Sequence, residues 1–250
     1  MKISRSSALS RRSFVLTGAL ASVGATAGCQ TTNAGGILES IVGSGIGVNE
    51  SSAATGIRAA LNQGVSSAIS TIGVRDGFLG DSLIRIPLPG FMQSAQSTLG
   101  RLGLSGPLDS LETQLNRGAE AAVPVARDIF VSAISDMSIE DAVGIVQGGN
   151  NSATEFLRAR TGPSLTNLFT PIMGNALQSA GAIQTFDQIA GRLNGIPLAP
   201  KFGDDAKSQL IDHGVDFGLD GMFTYIGREE AAIRANPAKR TSEILRQVFG

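Results

Sequence analysis

The chain has 250 residues, with 20 Lys and Arg against 21 Asp and Glu and a formal net charge of −1. Nucleic-acid binders concentrate Lys and Arg, so this balance argues against a phosphate-reading protein. One cysteine, no tryptophan and one tyrosine leave no disulfide framework and almost none of the flat amphipathic rings on which sugars and bases stack.

The N-terminal stretch reads as an address. Ser10, Arg11, Arg12, Ser13, Phe14 and Val15 resemble the bacterial twin-arginine export motif. The apolar run behind them, Phe14 to Val23, contains Thr17, Gly18 and Ser22. It is too short and too polar to span a hydrocarbon core, which needs roughly 20 residues. Residues 25–29 resemble a bacterial lipoprotein cleavage box, in which Cys29 becomes the acylated first residue of the mature chain. Several acyl chains together make anchoring stable. By resemblance to lipoprotein sorting in two-membrane bacteria, Gln30 points to the outer membrane. Cleavage before Cys29 removes Lys2, Arg5, Arg11 and Arg12, so the basic count falls from 20 to 16 against 21 acidic residues. The mature chain is therefore acidic, near −5, and its only thiol is used.

Residues 30–50 are polar and Gly-rich, as suits a flexible tether. Gly43, Gly45 and Gly47 lack the strand before and the Lys-Ser/Thr after that a phosphate loop requires. Ile57, Leu61, Val65, Ile69 and Ile72 then set a helical period that stops at Gly73. Residues 75–89 hold Gly77, Gly80, Pro87 and Pro89. They predict an ordered loop, because the residue before each proline is pushed toward extended geometry. Phe91, Ala95, Leu99 and Leu102 restart the period, and Gly103 closes it.

From Ser105 a long periodic stretch runs through Leu108, Leu111, Leu115, Ala119, Ala122, Ile129, Phe130, Ala133 and Met137, with Pro124 expected to kink or divide it. Ser138 with Asp141, and Ser152 with Glu155, each resemble a capping box. Further helices are expected over 163–180 with an interruption near Pro171, over 182–194, over 204–235 with breaks at its glycines, and over 241–249. No segment alternates with period two between hairpin turns. The expected fold is all-α, an orthogonal or bundle-like single domain with one ordered Pro-rich loop: a signal over 1–28, a tether over 29–50 and a helical domain over 51–250.

Candidate chemistry is sparse. His213 is the single histidine and no G-x-S-x-G elbow occurs. Asp212, Asp216 and Asp220 repeat every four residues; on one helix their repulsion costs a few tenths of a kcal/mol per pair. Solvation, arginines such as Arg85 or Arg117, or a hard cation are the ways to offset it. Glu230 and Arg234 stand four apart with the acid first, and Arg117 and Glu120 stand three apart, both favourable helical spacings.

A set of short motifs carries a family resemblance. It includes Asp76-Gly77-Phe78, Arg85-Ile86-Pro87-Leu88-Pro89, Asn116-Arg117 with Ala119-Glu120, Met137 with Ile139-Glu140-Asp141-Ala142, and Ala153-Thr154. It continues with Gly221, Phe223, Glu229-Glu230, Ile233-Arg234, Asn236-Pro237, Arg240-Thr241 and Val248-Phe249-Gly250. In this order they resemble the bacterial domain-of-unknown-function family DUF 4197 over residues 53–250. Gly118 stands where alanine is expected and Phe156 where tyrosine is expected. The resemblance implies an exported or lipid-anchored protein and transfers no catalytic residue.

Three functional classes follow. The first is a non-enzymatic envelope module, anchored to a membrane through lipid, that binds a protein or envelope component. The second is a carrier of an apolar small molecule held between helices. The third is an acid- and arginine-based enzyme, which requires its pool of Asp76, Arg85, Arg117, Glu120, Asp220, Glu229, Glu230 and Arg234 to converge in one polar cleft. No cofactor loop, metal ligand set or nucleic-acid footprint is read.

Overall fold

A computed structural model of the chain describes residues 50–101, 105–179 and 205–235, with isolated positions between 181 and 191. The export signal, the tether before Glu50, and the segments expected to be helical over 182–194 and 241–249 lie wholly or mostly outside the described residues. All described residues belong to one unit, 45–250. Among them the regular structure is helical throughout and no strand occurs. No helix among them is long and apolar enough to cross a membrane.

Among the described residues seven helices carry the fold: α1 (Glu50–Ile72), α2 (Gly90–Gly100), α3 (Gly106–Val125), α4 (Arg127–Ser135), α5 (Ile139–Gln147), α6 (Ser152–Ser179) and α7 (Ala206–Ala235). The most extensive contacts join α6 to α3 and to α7; α1 packs along α7 and against α4 and α5. One contiguous apolar core results, with Phe78, Phe130, Phe169 and Phe223 its largest buried side chains. Phe130 meets Phe223 edge to face, ring centroids 5.9 Å apart.

Several expectations about helix ends hold for stated reasons. Pro124 sits in the last turn of α3, and the chain turns at Ala126 into α4. Ser138 and Asp141 form the reciprocal capping box at the start of α5. The other expected box does not form. Ser152 Oγ donates to the carbonyls of Ile145 and Gly149, and the first amides of α6 find a partner on α7 instead.

The prolines and glycines of the two long helices are also corrected. Pro163 and Pro171 lie inside an unbroken α6. Leu157, Thr161, Leu165, Phe169, Met173 and Leu177, four apart throughout, are buried at 1% exposure or less, while both prolines are exposed. A proline ring costs a helix one hydrogen bond; burial of that stripe, at about 1.5–3 kcal/mol per large apolar side chain, outweighs it. The glycines of α7 do not break it either. They are points of close approach: a Cβ on Gly214 would sit 2.9 Å from Leu115 Cδ2, and one on Gly218 3.4 Å from Ala119 Cβ. Gly118 of α3 belongs to the same contact. The Cβ of an alanine there would lie 2.6 Å from Met173 Sδ, which gives this chain's departure from alanine a physical reason.

Candidate functional site

The family-marking motifs of the first half meet in one place. Residues 73–89, between α1 and α2, form a strap laid in the groove between α3 and α7. Four of its apolar side chains, Phe78, Ile84, Ile86 and Leu88, are 5% exposed or less, while Val74 and Leu83 are exposed. Asp81 lies by Tyr225 and Pro87 by His213, twelve residues apart on α7. Between those points the chain turns at 82–84, the Arg85 N–H donating to the Asp81 carbonyl at 2.8 Å, and then runs without regular structure to Pro89.

The strap's own turns satisfy part of its backbone, as where the Gly80 N–H meets the Asp76 carbonyl and the Arg85 N–H that of Asp81, and side chains satisfy the N–H groups of Phe78, Leu79, Leu83 and Ile86. Buried Asn116 acts like a neighbouring strand: its Oδ1 accepts the Ile86 N–H at 2.9 Å and its Nδ2 donates to the Ile86 carbonyl at 2.9 Å. Glu120 Oε1 accepts the N–H groups of Phe78 and Leu79 at 3.1 and 3.2 Å. Its other oxygen takes Arg117 Nη1 at 2.6 Å, and Arg117 Nη2 reaches Asp76 at 2.7 Å. Asp76 has φ 65°, a left-handed conformation that Asp adopts more readily than most residues. Gly77 follows because a Cβ there would lie 2.3 Å from the Ile72 carbonyl oxygen.

The α7 side completes the tie. His213 Nε2 lies 2.8 Å from the Pro87 carbonyl oxygen, so this nitrogen carries the proton. The Tyr225 hydroxyl donates to Asp81, whose other oxygen accepts the Leu83 N–H at 2.8 Å. These two bonds, the Tyr225 one first, hold the Asp81 carboxyl below its ordinary range against a smaller opposing effect of desolvation. The Tyr225 phenol moves upward, chiefly through the same bond. The Arg117 guanidinium is pushed further up by Glu120 and then Asp76. Gly221 admits the strap: a Cβ there would lie 2.7 Å from the Phe78 ring.

The second-half motifs meet at a separate point. Glu230 of α7 is buried and caps the N-terminus of α6, accepting the Ala153 and Thr154 N–H groups at 3.1 and 2.9 Å and the Thr154 hydroxyl at 2.7 Å. Negative charge at a helix N-terminus also meets the favourable end of the helix dipole. Arg234 pairs with Glu230 at 2.9 Å and donates to the Ile145 carbonyl and to Ser152 Oγ. One ion pair thus fastens the end of α5 and the start of α6 to α7.

The residues of the expected polar cleft therefore fall into local groups. Asp76, Arg117 and Glu120 come together; Glu230 and Arg234 form the second group. Arg85 pairs with Glu112 at 2.8 Å, and Asp220 with Arg158 at 2.7 Å on the surface; Arg158 also covers the Phe223 ring at 4.4 Å. Glu229 lies beside Gly64 of α1. Neither Arg85 nor Arg117 reaches the aspartates of α7. Asn116, Tyr225 and Asp81 were not among the candidates. A polar residue at position 116, beside Leu115 in the apolar stripe of α3, was the available signal for the first.

Pockets are modest. Between α1 and α7 a crevice lined by Ile57, Leu61, Ile226 and Ile233 encloses about 30 Å³, room for about one water molecule. Open grooves of about 320 and 510 Å³ lie over α4 and α6 and over the end of the strap. Among the described residues no group of three or more His, Cys, Asp or Glu is placed to hold a metal.

No curated protein and no solved structure matches the chain. The model of one family, described as a protein of unknown function (DUF4197), matches residues 47–250, a span that holds both the strap and the Glu230 cap. The chain belongs to the DUF4197 family.

Proposed function

We propose that this protein is an exported lipoprotein that serves as a non-enzymatic binding module of the cell envelope. One observation carries the reading: Glu120 and Glu230, the buried acids of the pool, both spend their oxygens on backbone N–H groups and an arginine. A general acid or base needs an oxygen aimed at substrate. These oxygens instead fix a strap and a helix end, which is how a surface of constant shape is built. Arg11, Arg12 and Cys29, read as an export motif and an acylation site, support a position for that surface outside the cytoplasm on a lipid anchor.

Metabolic labelling with radioactive palmitate, followed by separation of inner and outer membranes, tests the anchoring. Wild-type protein is expected to carry label in the outer-membrane fraction. Cys29→Ser should lose the label, and the Arg11→Lys/Arg12→Lys variant should accumulate unprocessed in the cytoplasm. Label retained by Cys29→Ser would refute the lipoprotein reading. Non-denaturing mass spectrometry of the purified protein tests the binding role, and a co-purifying metal or cofactor would overturn its non-enzymatic part.

A further inference from the structure

The crevice between α1 and α7 contains two side chains whose burial its own walls do not explain. Ile57, Leu61, Val65 and Ile226 line it and belong to the main core. Ala60 and Ile233 line it too, but among the described residues they form a cluster of their own. They are nevertheless only 5% and 6% exposed. A buried apolar residue touches about six to twelve others, and the neighbours here offer little to this pair. Gly64 has no side chain, and Glu230 and Arg234 turn their charged groups to the junction of α5 and α6. A further apolar surface is needed to keep water from an alanine and an isoleucine on two different helices.

The chain itself has such a surface beside the crevice. α7 runs to Ala235, just past Ile233 and Arg234, so residues 236–250 leave from the crevice's edge. Asn236-Pro237 is a helix stop, and residues 236–240 reach at most about 18 Å. Whatever follows them is held near the crevice at high effective concentration. A helix over 241–249, as the sequence predicts, carries Ile244, Leu245, Val248 and Phe249 within an arc of about 140°, with Glu243, Arg246 and Gln247 on the other side. Its length of about 14 Å matches the roughly 12 Å of α1 from Ile57 to Val65.

We propose that the C-terminal segment, Thr241 to Phe249, docks its apolar face over Ala60 and Ile233 and closes this crevice. Tethering selects it over a second copy or a separate partner, because five residues join it to a wall of the site it covers. The crevice is then filled by the chain's own end and is no site for the apolar small molecule of the carrier reading. The proposal goes beyond the binding-module reading and does not rest on it.

Hydrogen-exchange mass spectrometry on full-length protein in detergent tests the cover. Ile244→Ser/Val248→Ser should speed exchange of the amides 57–65 on α1 and 226–233 on α7 about tenfold, and leave 111–122 on α3 unchanged. Glu243→Gln, on the polar side of the segment, should leave all three regions as in wild type. Ending the chain after Ala235 should act like the double variant, and a synthetic peptide of residues 236–250 at about 1 mM should restore slow exchange. Wild-type exchange at 57–65 in both the double variant and the shortened chain overturns the proposal; if that protection fades on dilution, a second copy covers the crevice instead. Equal acceleration in Glu243→Gln, or equal acceleration of α3 in the double variant, also overturns it. Palmitate labelling at Cys29 is untouched by these changes, so the cover and the lipoprotein reading can fail separately.

Discussion

Asn116 offers the sharpest test of how the strap is held. Its side chain is fully buried and makes both hydrogen bonds to Ile86 as well as one to the Glu112 carbonyl at 2.8 Å. Asn116→Leu keeps the approximate volume and removes all three. It strands the Ile86 N–H and carbonyl, at about 1–3 kcal/mol for each unmet buried group. The added apolar burial offsets about 1 kcal/mol of this, so a net loss of about 3 kcal/mol is expected. Lifting the strap instead would expose Phe78, Ile84, Ile86 and Leu88, four side chains at about 1.5–3 kcal/mol each. That is the larger cost, so the strap should stay down and the loss should appear as a lower urea midpoint at unchanged m-value. Asn116→Asp sharpens the argument, because it keeps the acceptor for the Ile86 N–H but turns a carboxylate oxygen toward two carbonyls. The neutral form is then favoured in the folded state, raising this carboxyl above its unfolded value of about 3.9. The penalty should be absent below pH ~3.9 and grow as pH rises through the folded value. A change in midpoint worth less than about 0.5 kcal/mol for Asn116→Leu, or a pH-independent penalty for Asn116→Asp, would refute the reasoning.

Two further outcomes follow from the same contacts. Gly221→Ala places a Cβ 2.7 Å from the Phe78 ring and 3.1 Å from Ile84 Cβ; thermal melts should show a loss of about 1–3 kcal/mol despite alanine's better helix propensity. Gly144→Ala on α5, with nothing within 4 Å of the new Cβ, should instead gain about 0.5–1 kcal/mol. Tyr225→Phe removes the bond to Asp81 and should destabilise most near neutral pH. Because the Asp81 carboxyl is lowered in the folded state, its contribution is present above the unfolded value of about 3.9 and fades as pH falls through the folded one. Because the Tyr225 phenol is raised, its contribution is present below about pH 10 and fades as pH rises further. Urea titrations across pH should therefore show the gap between wild type and variant narrowing at both ends.

The legibility of each feature tracked the distance along the chain over which it is made. Arg117–Glu120 and Glu230–Arg234 were visible because a helix brings residues three and four apart together wherever it packs. Glu120 on the Phe78 and Leu79 amides, Glu230 on the start of α6, and Tyr225 on Asp81 join residues 41 to 144 positions apart, and no local spacing encodes them. Ser152 and Glu155 illustrate the difference. They have the spacing of a capping box, but the two amides it would use go to backbone, Glu155 N–H to the Asn151 carbonyl and Ser152 N–H to that of Gly149, while Glu230 arrives from α7 to cap Ala153 and Thr154 and Ser152 Oγ bonds Ile145, Gly149 and Arg234.

From its sequence alone this chain determined an all-helical class, an ordered Pro-rich segment after the first long helix, the break near Pro124 and the Ser138 cap, all of which depend on propensity and periodicity within a few turns. Tertiary structure alone decided that Pro163 and Pro171 leave α6 whole, that the glycines of α7 are contacts and not breaks, and that the charged motifs hold backbone in two separate places. The physical reason is burial. Once the strap and the start of α6 are removed from water, their unmet N–H groups become costly, and only side chains delivered by packing from α3 and α7 can satisfy them.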